Sequence, residues 1–397
     1  MHRTYIFGRK AAATGGEMLS VCGREGFLSL RFAVIWLLSW VVGMASVAQG
    51  QERSTNTSRV IGFVVTTEAP GHWESPDAGV ECPEGLHFTE KENWEAMNPV
   101  EREERRSRFG HRWNRGPNGE NSTAVPWAIK DPLPIRFVQS DVALGFNLDG
   151  TEDGRETPNS CGHAKFKDPE TGLPVDNQLY RVMGCAKGWR SSGAAAGYRM
   201  MEFPTYTANR LLLEISGVDD VIDDSEVEVA LYKGLDDIPK KNNGEFLPGL
   251  PHRVDTRFPV IARTSGKIEG GVLTIKPVEH ARFPMRWNVR TGTRDWYDMH
   301  LRLRLSADGA EGLLGGYQDL EKYWLMYRRG LAVSVDNSAW SPPSMYAATE
   351  AMADGRRDPN TGRCSAISSS MKLKAVRAFI VHAEPEFDQA LFDLRGY

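Results

Sequence analysis

Between residues 226 and 231 every second side chain is a large apolar one: Val227, Val229 and Leu231 alternate with Glu226, Glu228 and Ala230. A strand turns successive side chains to opposite faces, so this period of two predicts a strand with one buried face. The pattern returns in "DMHLRLRLSADG" (298–309), with Leu301, Leu303 and Leu305 inward and Arg302 and Arg304 outward. "RVIGFVVTTEAP" (59–70), "NRLLLEISG" (209–217) and "MKLKAVRAFIVHAEP" (371–385) read as further strands. "GKIEGGVLTIKPVE" (266–279) reads as a hairpin turning at Gly270-Gly271, and "IRFVQSDVALGFNL" (135–148) as two short strands.

Helical spacing is scarcer. Residues 88–115 are charged and helix-prone but broken by Pro99, and their run Glu101 to Arg108 mixes signs as a solvated helix face does. "GYQDLEKYWLMYRRG" (316–330) and "SPPSMYAATEAMADG" (341–355) read as two more helices, stopped by Gly330 and Gly355. Alternating strands separated by Gly and Pro turns predict a mainly β chain. The expected architecture is an antiparallel β-sandwich, jelly-roll-like, with long loop insertions and a few short helices, over residues 134–397. Residues 59–133 would precede it as an N-terminal strand and a charged helical or loop segment. No Gly-rich phosphate loop joins a strand to a helix, which argues against a nucleotide-binding fold.

The N-terminal pattern concerns export. Arg24 and Arg31 precede "FAVIWLLSWVVGMASVA" (32–48), with small Ser46 and Ala48 three and one residues before a cut at Gln49. Residues 1–48 therefore read as a signal peptide, with an uncleaved anchor as the alternative, and 49–58 as a polar tether. No second apolar stretch is long enough to span a membrane. Residues 1–48 carry five Arg or Lys and two Glu, so their removal moves the formal net charge from −4 to −7. That charge offers no electrostatic case for nucleic acid. The cysteines that remain, Cys82, Cys161, Cys185 and Cys364, are even in number, and an exported chain meets an oxidising compartment, so two disulfides are expected. No C-x-x-C spacing points to zinc, haem or a thioredoxin-like site.

One loop concentrates chemistry. "GFNLDGTEDGRETPNSCG" (145–162) gathers Asn147, Asp149, Glu152, Asp153 and Glu156, and the chain returns through "PVDNQLYRVMGC" (174–185). If the strand ending near Leu148 pairs with one resuming at Leu179, Asp149 and Asp176 face each other at the sheet rim. Cys161 then lies near Cys185, which leaves Cys82 for Cys364. Calcium takes six to eight oxygens, and Asp149, Asp153, Asp176 and Asn177 would supply the side-chain share. The spacing is not that of an EF-hand, and a solvated turn without an ion is the alternative. "GFNLDG" followed by a Cys-bearing loop and "VDNQL" resembles an Asp-x-Asp-Gly, Val-Asp-Asn-Gln element of uncharacterised secreted bacterial proteins, with Asn147 in place of the first Asp. The resemblance covers about a tenth of the chain and implies export and a bacterial source, with no activity attached.

Elsewhere "VDDVIDDSEVE" (218–228) reads as a charged edge before a strand, and a second ion site is the alternative. The histidines are scattered, without H-E-x-x-H, and no G-x-S-x-G elbow appears. In "GTRDWYDMH" (292–300), Trp296 and Tyr297 lie beside Asp295 and Asp298, a composition suited to stacking on a sugar, against the alternative of burial between sheets. The leading expectation is a periplasmic or cell-surface binding protein, non-catalytic, with a structural calcium. Its partner would be a carbohydrate or an envelope component. A secreted polysaccharide hydrolase and a structural envelope component are the alternatives.

Overall fold

The computed structural model describes residues 59–87, 97–109, 118–119, 124–128, 135–193, 209–287, 290–331 and 342–382, so the expected signal peptide and tether fall outside the described residues. Thirteen strands are present among these residues: β1 (Arg59–Pro70), β2 (Phe166–Lys167), β3 (Pro174–Val175), β4 (Leu211–Val218), β5 (Asp224–Lys233), β6 (Leu250–Arg253), β7 (Ala262–Glu269), β8 (Val272–Ile275), β9 (Val278–Trp287), β10 (Arg290–Leu305), β11 (Gly309–Asp319), β12 (Gly355–Arg357) and β13 (Cys364–Val381). Each alternating segment named above becomes one of them. Val227, Val229 and Leu231 are buried together with Leu301 and Leu303 in one core. Gly270 and Gly271 both have positive φ (56° and 75°), as a two-residue turn between β7 and β8 requires.

The way the strands close corrects the expected sandwich. β1, β4, β5, β7, β8, β10, β11 and β13 pair antiparallel in that order, and β13 pairs back onto β1. The sheet is an eight-stranded antiparallel barrel. Alternation marks one buried face per strand and is silent on whether two sheets stack or one sheet closes. Closure rests on the long β13, which pairs with β11 from Ala366 to Val376 and with β1 from Met371 to Ala378. It leaves none of these eight strands as an edge, while β6, β9 and β12 each pair with a single neighbour. Ile61, Phe63, Leu213, Ile215, Leu273 and Leu373 are among the side chains that fill the interior. β1 is a stave of the same barrel as the strands after residue 134.

The phase of β10 changes once. Trp296 is buried inside, yet so are Met299, Leu301 and Leu303, of opposite parity. The register against β11 shifts between Tyr297 and His300, and Asp298 takes φ 49°. A bulge here inserts the extra residue, sending Trp296 inward and Tyr297 outward.

The helices are α1 (Pro99–Phe109), α2 (Gln178–Met183), α3 (Leu320–Leu331) and α4 (Pro342–Ala351). α2 and α3 pack on barrel strands, and α4 packs on α2 and α3. Pro99 begins α1 rather than breaking a helix, because Asn98 and Glu101 cap it reciprocally (3.0 and 2.9 Å) and the first turn needs no proline N–H. α3 continues one residue past Gly330, and Gly355 lies in β12, so neither glycine stops its helix. Residues 135–148 form no named strand, only single bridges Val142 to Lys167 and Phe146 to Asp176. The segment at Leu179 is α2, not a strand, because the Asn177 side chain caps it, accepting from Tyr180 N at 3.1 Å.

The cysteine pairs are Cys82–Cys185 and Cys161–Cys364, which replaces the expected Cys161–Cys185 and Cys82–Cys364. The reason is the helix. α2 carries Cys185 away from its loop to the 82–87 turn, where His87 N donates to Cys185 O at 2.8 Å. Cys161 stays beside β12, its N–H on Asp354 O at 3.1 Å.

Candidate functional site

Asp149 and Asp176 do come together, around a group the sequence reading passed over. Lys165 Nζ donates to Asp149 Oδ1 at 2.5 Å, to the two Asp176 oxygens at 2.6 and 2.7 Å, and to Asn147 Oδ1 at 3.1 Å. The three charged side chains are 6%, 6% and 4% exposed. Thr151 and Ser160 also donate to Asp149, and Leu148 N donates to Asp176 Oδ2 at 2.8 Å. Burial raises the Asp149 pKa, but the bonds from Lys165 and Thr151 outweigh it and hold it below the usual range. For Asp176 burial prevails over Lys165, and the pKa is raised. The ammonium stands between the carboxylates where a shared cation would sit.

The other two expected ligands are elsewhere. Asp153 is exposed and takes Arg155 N at 3.2 Å. Asn177 turns the opposite way: Nδ2 donates to Gly71 O, Leu144 O and Ser370 Oγ at 2.8 to 3.1 Å. Among the described residues no three His, Cys, Asp or Glu are grouped to hold a metal. The 176–178 stretch is instead a seam between cap and barrel. Gln178 N donates to Ser368 Oγ at 2.8 Å, and Ser368, Ser369 and Ser370 are buried in sequence along β13. Behind this seam Asp354 is buried and accepts from Ser368 N at 2.7 Å; desolvation and the neighbouring Asp176 push its pKa up to about 7.

The aromatic pair divides. Trp296 is 0% exposed inside the barrel, so it offers no face to a sugar, a correction that follows from the bulge phase. Tyr297 is half-buried on the outside. The His280 ring stacks on it at 4.7 Å and 11°, the Arg356 guanidinium lies 4.0 Å from its centroid, and Lys322 Nζ donates to its hydroxyl at 3.0 Å. Below it Asp295 is buried and accepts from Arg282 Nε at 3.0 Å and from Lys322. Those bonds outweigh desolvation and keep the Asp295 pKa low, while Asp295 raises that of Lys322. The heads of Arg282, Lys322 and Arg356 stay about half exposed.

Two non-glycine residues with positive φ occur among the described residues, Asp298 (49°) and Arg356 (54°), and both adjoin Tyr297. One follows it in the chain and the other covers its ring. Such backbone costs of order 1–3 kcal/mol and gathers at functional sites. The left-handed residue at 356 was not legible, since no glycine or asparagine marks it.

Two clefts are small, each about 20 Å³, room for about one water. One is lined by Glu68, Arg210, Phe283 and Arg294, the other by His72, Asn177, Tyr180 and Gln318. In the 218–228 segment, Asp219 N, Ile222 N and Gly270 N donate to carboxylates of Asp224, Asp220 and Asp223, which is turn chemistry before β5. Among the described residues no helix is long and apolar enough to cross a membrane. No protein-family model, curated protein or solved structure matches the chain.

Proposed function

We propose that the chain is an exported, non-catalytic binding protein that takes an acidic carbohydrate, one bearing carboxylates, on the Tyr297 patch outside the barrel. The observation that carries this reading is the coincidence of the two left-handed non-glycine residues with three half-exposed cations around one tyrosine. A guanidinium matches a carboxylate through two parallel bonds, so Arg356, held only loosely by Asp319 at 4.0 Å, is the natural anchor. Arg282 and Lys322 are partly spent on Asp295 and would orient rather than anchor. The filled barrel interior favours an external ligand. The apolar N-terminal run and two disulfides favour an oxidising compartment outside the cytoplasm. The net charge, −4 for the full chain and −7 after the expected cleavage, opposes an anion at long range, but is screened beyond about 8 Å at physiological salt.

Titration with uronate oligosaccharides and their neutral counterparts tests this. Wild type is expected to prefer the acidic series, with affinity falling as salt rises, and Arg356→Ala to lose at least about tenfold without a change in melting temperature. Equal binding of acidic and neutral series, or an unaffected Arg356→Ala, would sink it.

A further inference from the structure

We infer that Lys165 and Asp176 condense into an intramolecular isopeptide bond, with Asp149 carrying the proton. An amine in contact with both oxygens of a buried carboxyl, and with a second buried carboxylate beside it, has the parts of an amide condensation. The pair is held by its surroundings. Lys165 and Asp176 directly flank the paired Phe166–Val175 rung of the β2–β3 hairpin, and the Phe146 bridge to Asp176 holds the strand end in place. The Leu148 N–H fixes Asp176, while Thr151 and Ser160 fix Asp149. Orientation of this kind supplies much of a bimolecular barrier, and the scarcity of water favours loss of a water molecule.

The chemistry balances without a co-reactant. Lys165 passes one proton to Asp176, giving a neutral amine and a neutral carboxylic acid, the pair that a low dielectric favours over two charges. The amine nitrogen attacks Cγ of Asp176 and the N–C bond forms. A second nitrogen proton moves to Asp149 Oδ1, which returns it to the departing hydroxyl as the C–O bond breaks. Ammonium and carboxylate become one neutral amide and one water. The raised pKa of Asp176 and the lowered pKa of Asp149 suit an electrophile that must be protonated and a base that must not. Asn147, whose Oδ1 is 3.1 Å from Nζ, is the competing electrophile, but its Nδ2 is engaged on Thr151 O at 2.9 Å.

Mass spectrometry of the full purified chain, reduced and digested, tests the bond. The expected result is a branched peptide joining Lys165 to Asp176, lighter by one water than its two parts, and trypsin resistance after Lys165. Asp149→Asn should keep both partners but restore the missing water. Asp176→Asn should yield the same branched mass as wild type, because ammonia leaves in place of water. Two linear peptides of full mass from folded wild type would overturn the inference. So would a bond to Asn147 with loss of ammonia, or a crosslink undiminished in Asp149→Asn. The wild-type measurement stands even where a variant fails to fold.

Discussion

Asp354 shows how one buried side chain can tilt stability with pH. Its carboxyl ionises near 3.8 in an open chain and near 7 when folded, because desolvation disfavours the charge. A raised folded pKa means that the native state holds its proton more tightly. The resulting stabilisation is complete below about 3.8 and is lost as pH rises toward 7. The amount is on the order of 4 kcal/mol. Asp354→Asn keeps an acceptor for Ser368 N–H and removes the titration. Urea denaturation across pH 4 to 8 should show the wild type losing ground to the variant up to about 7 and running parallel above it. Parallel profiles throughout would refute the assignment. The acidic loop was legible at this scale only in part. Asp149 and Asp176 do meet, but their crowding in sequence points to a foreign cation and not to a lysine of the same chain. Lys165, sixteen residues past Asp149 in the same loop, is unmarked because a loop has no periodicity to reveal which of its side chains is buried.

At the scale of elements, period-two alternation in β5 and β10, together with apolar runs and a Gly-Gly turn, was a sound guide to strands β1, β4, β5, β7, β8, β10 and β13. It failed where a strand changes phase or a side chain caps a helix. The bulge in β10 is the instructive case. Leu301 and Leu303 point inward as read, but Trp296 has the other parity and is also inside, so the two halves cannot share one phase. Gly316 lies against the bulge with φ 157°, and a Cβ there would fall 2.8 Å from Tyr297 O and 3.0 Å from Asp298 O. Both contacts are backbone and cannot turn aside. Gly316→Ala should therefore cost about 1–3 kcal/mol in urea denaturation and alter the near-ultraviolet dichroism of the neighbouring aromatics. An unchanged transition midpoint would mean that the bulge does not depend on this glycine. The same logic explains the misread segment at Leu179. A capping asparagine outranks a short apolar run, and "DNQL" carried that signal without a helical period long enough to display it.

At the scale of the molecule, what alternation left open was closure, and closure determines what the disulfides do. A sealed eight-stranded barrel with a filled core needs no staple across its sheets. One disulfide instead joins two segments outside the barrel, and the other pins a loop to a barrel strand. Cys82–Cys185 ties the segment after β1 to the end of α2 across 103 residues. Cys161–Cys364 ties the acidic loop to the start of β13, where Cys364 is paired with Arg357 of β12, next to Arg356. The second bond therefore bears on the Tyr297 patch as well as on the cap. Closing loops of a hundred residues or more is worth about 4–5 kcal/mol in the chain-entropy account. Replacing both Cys161 and Cys364 with serine should lower unfolding stability by that order while the barrel stays folded. Far-ultraviolet dichroism should stay unchanged, and non-reducing peptide mapping should still return Cys82 joined to Cys185. On the proposed function, affinity for acidic oligosaccharide should fall in step, because β12 then holds Arg356 over the tyrosine less firmly. Replacing Cys82 and Cys185 should cost similar stability and spare that affinity, since neither residue adjoins β12. Crossed cysteine pairs in the wild-type map, or equal loss of binding in both double variants, would refute this division of labour between the two bonds.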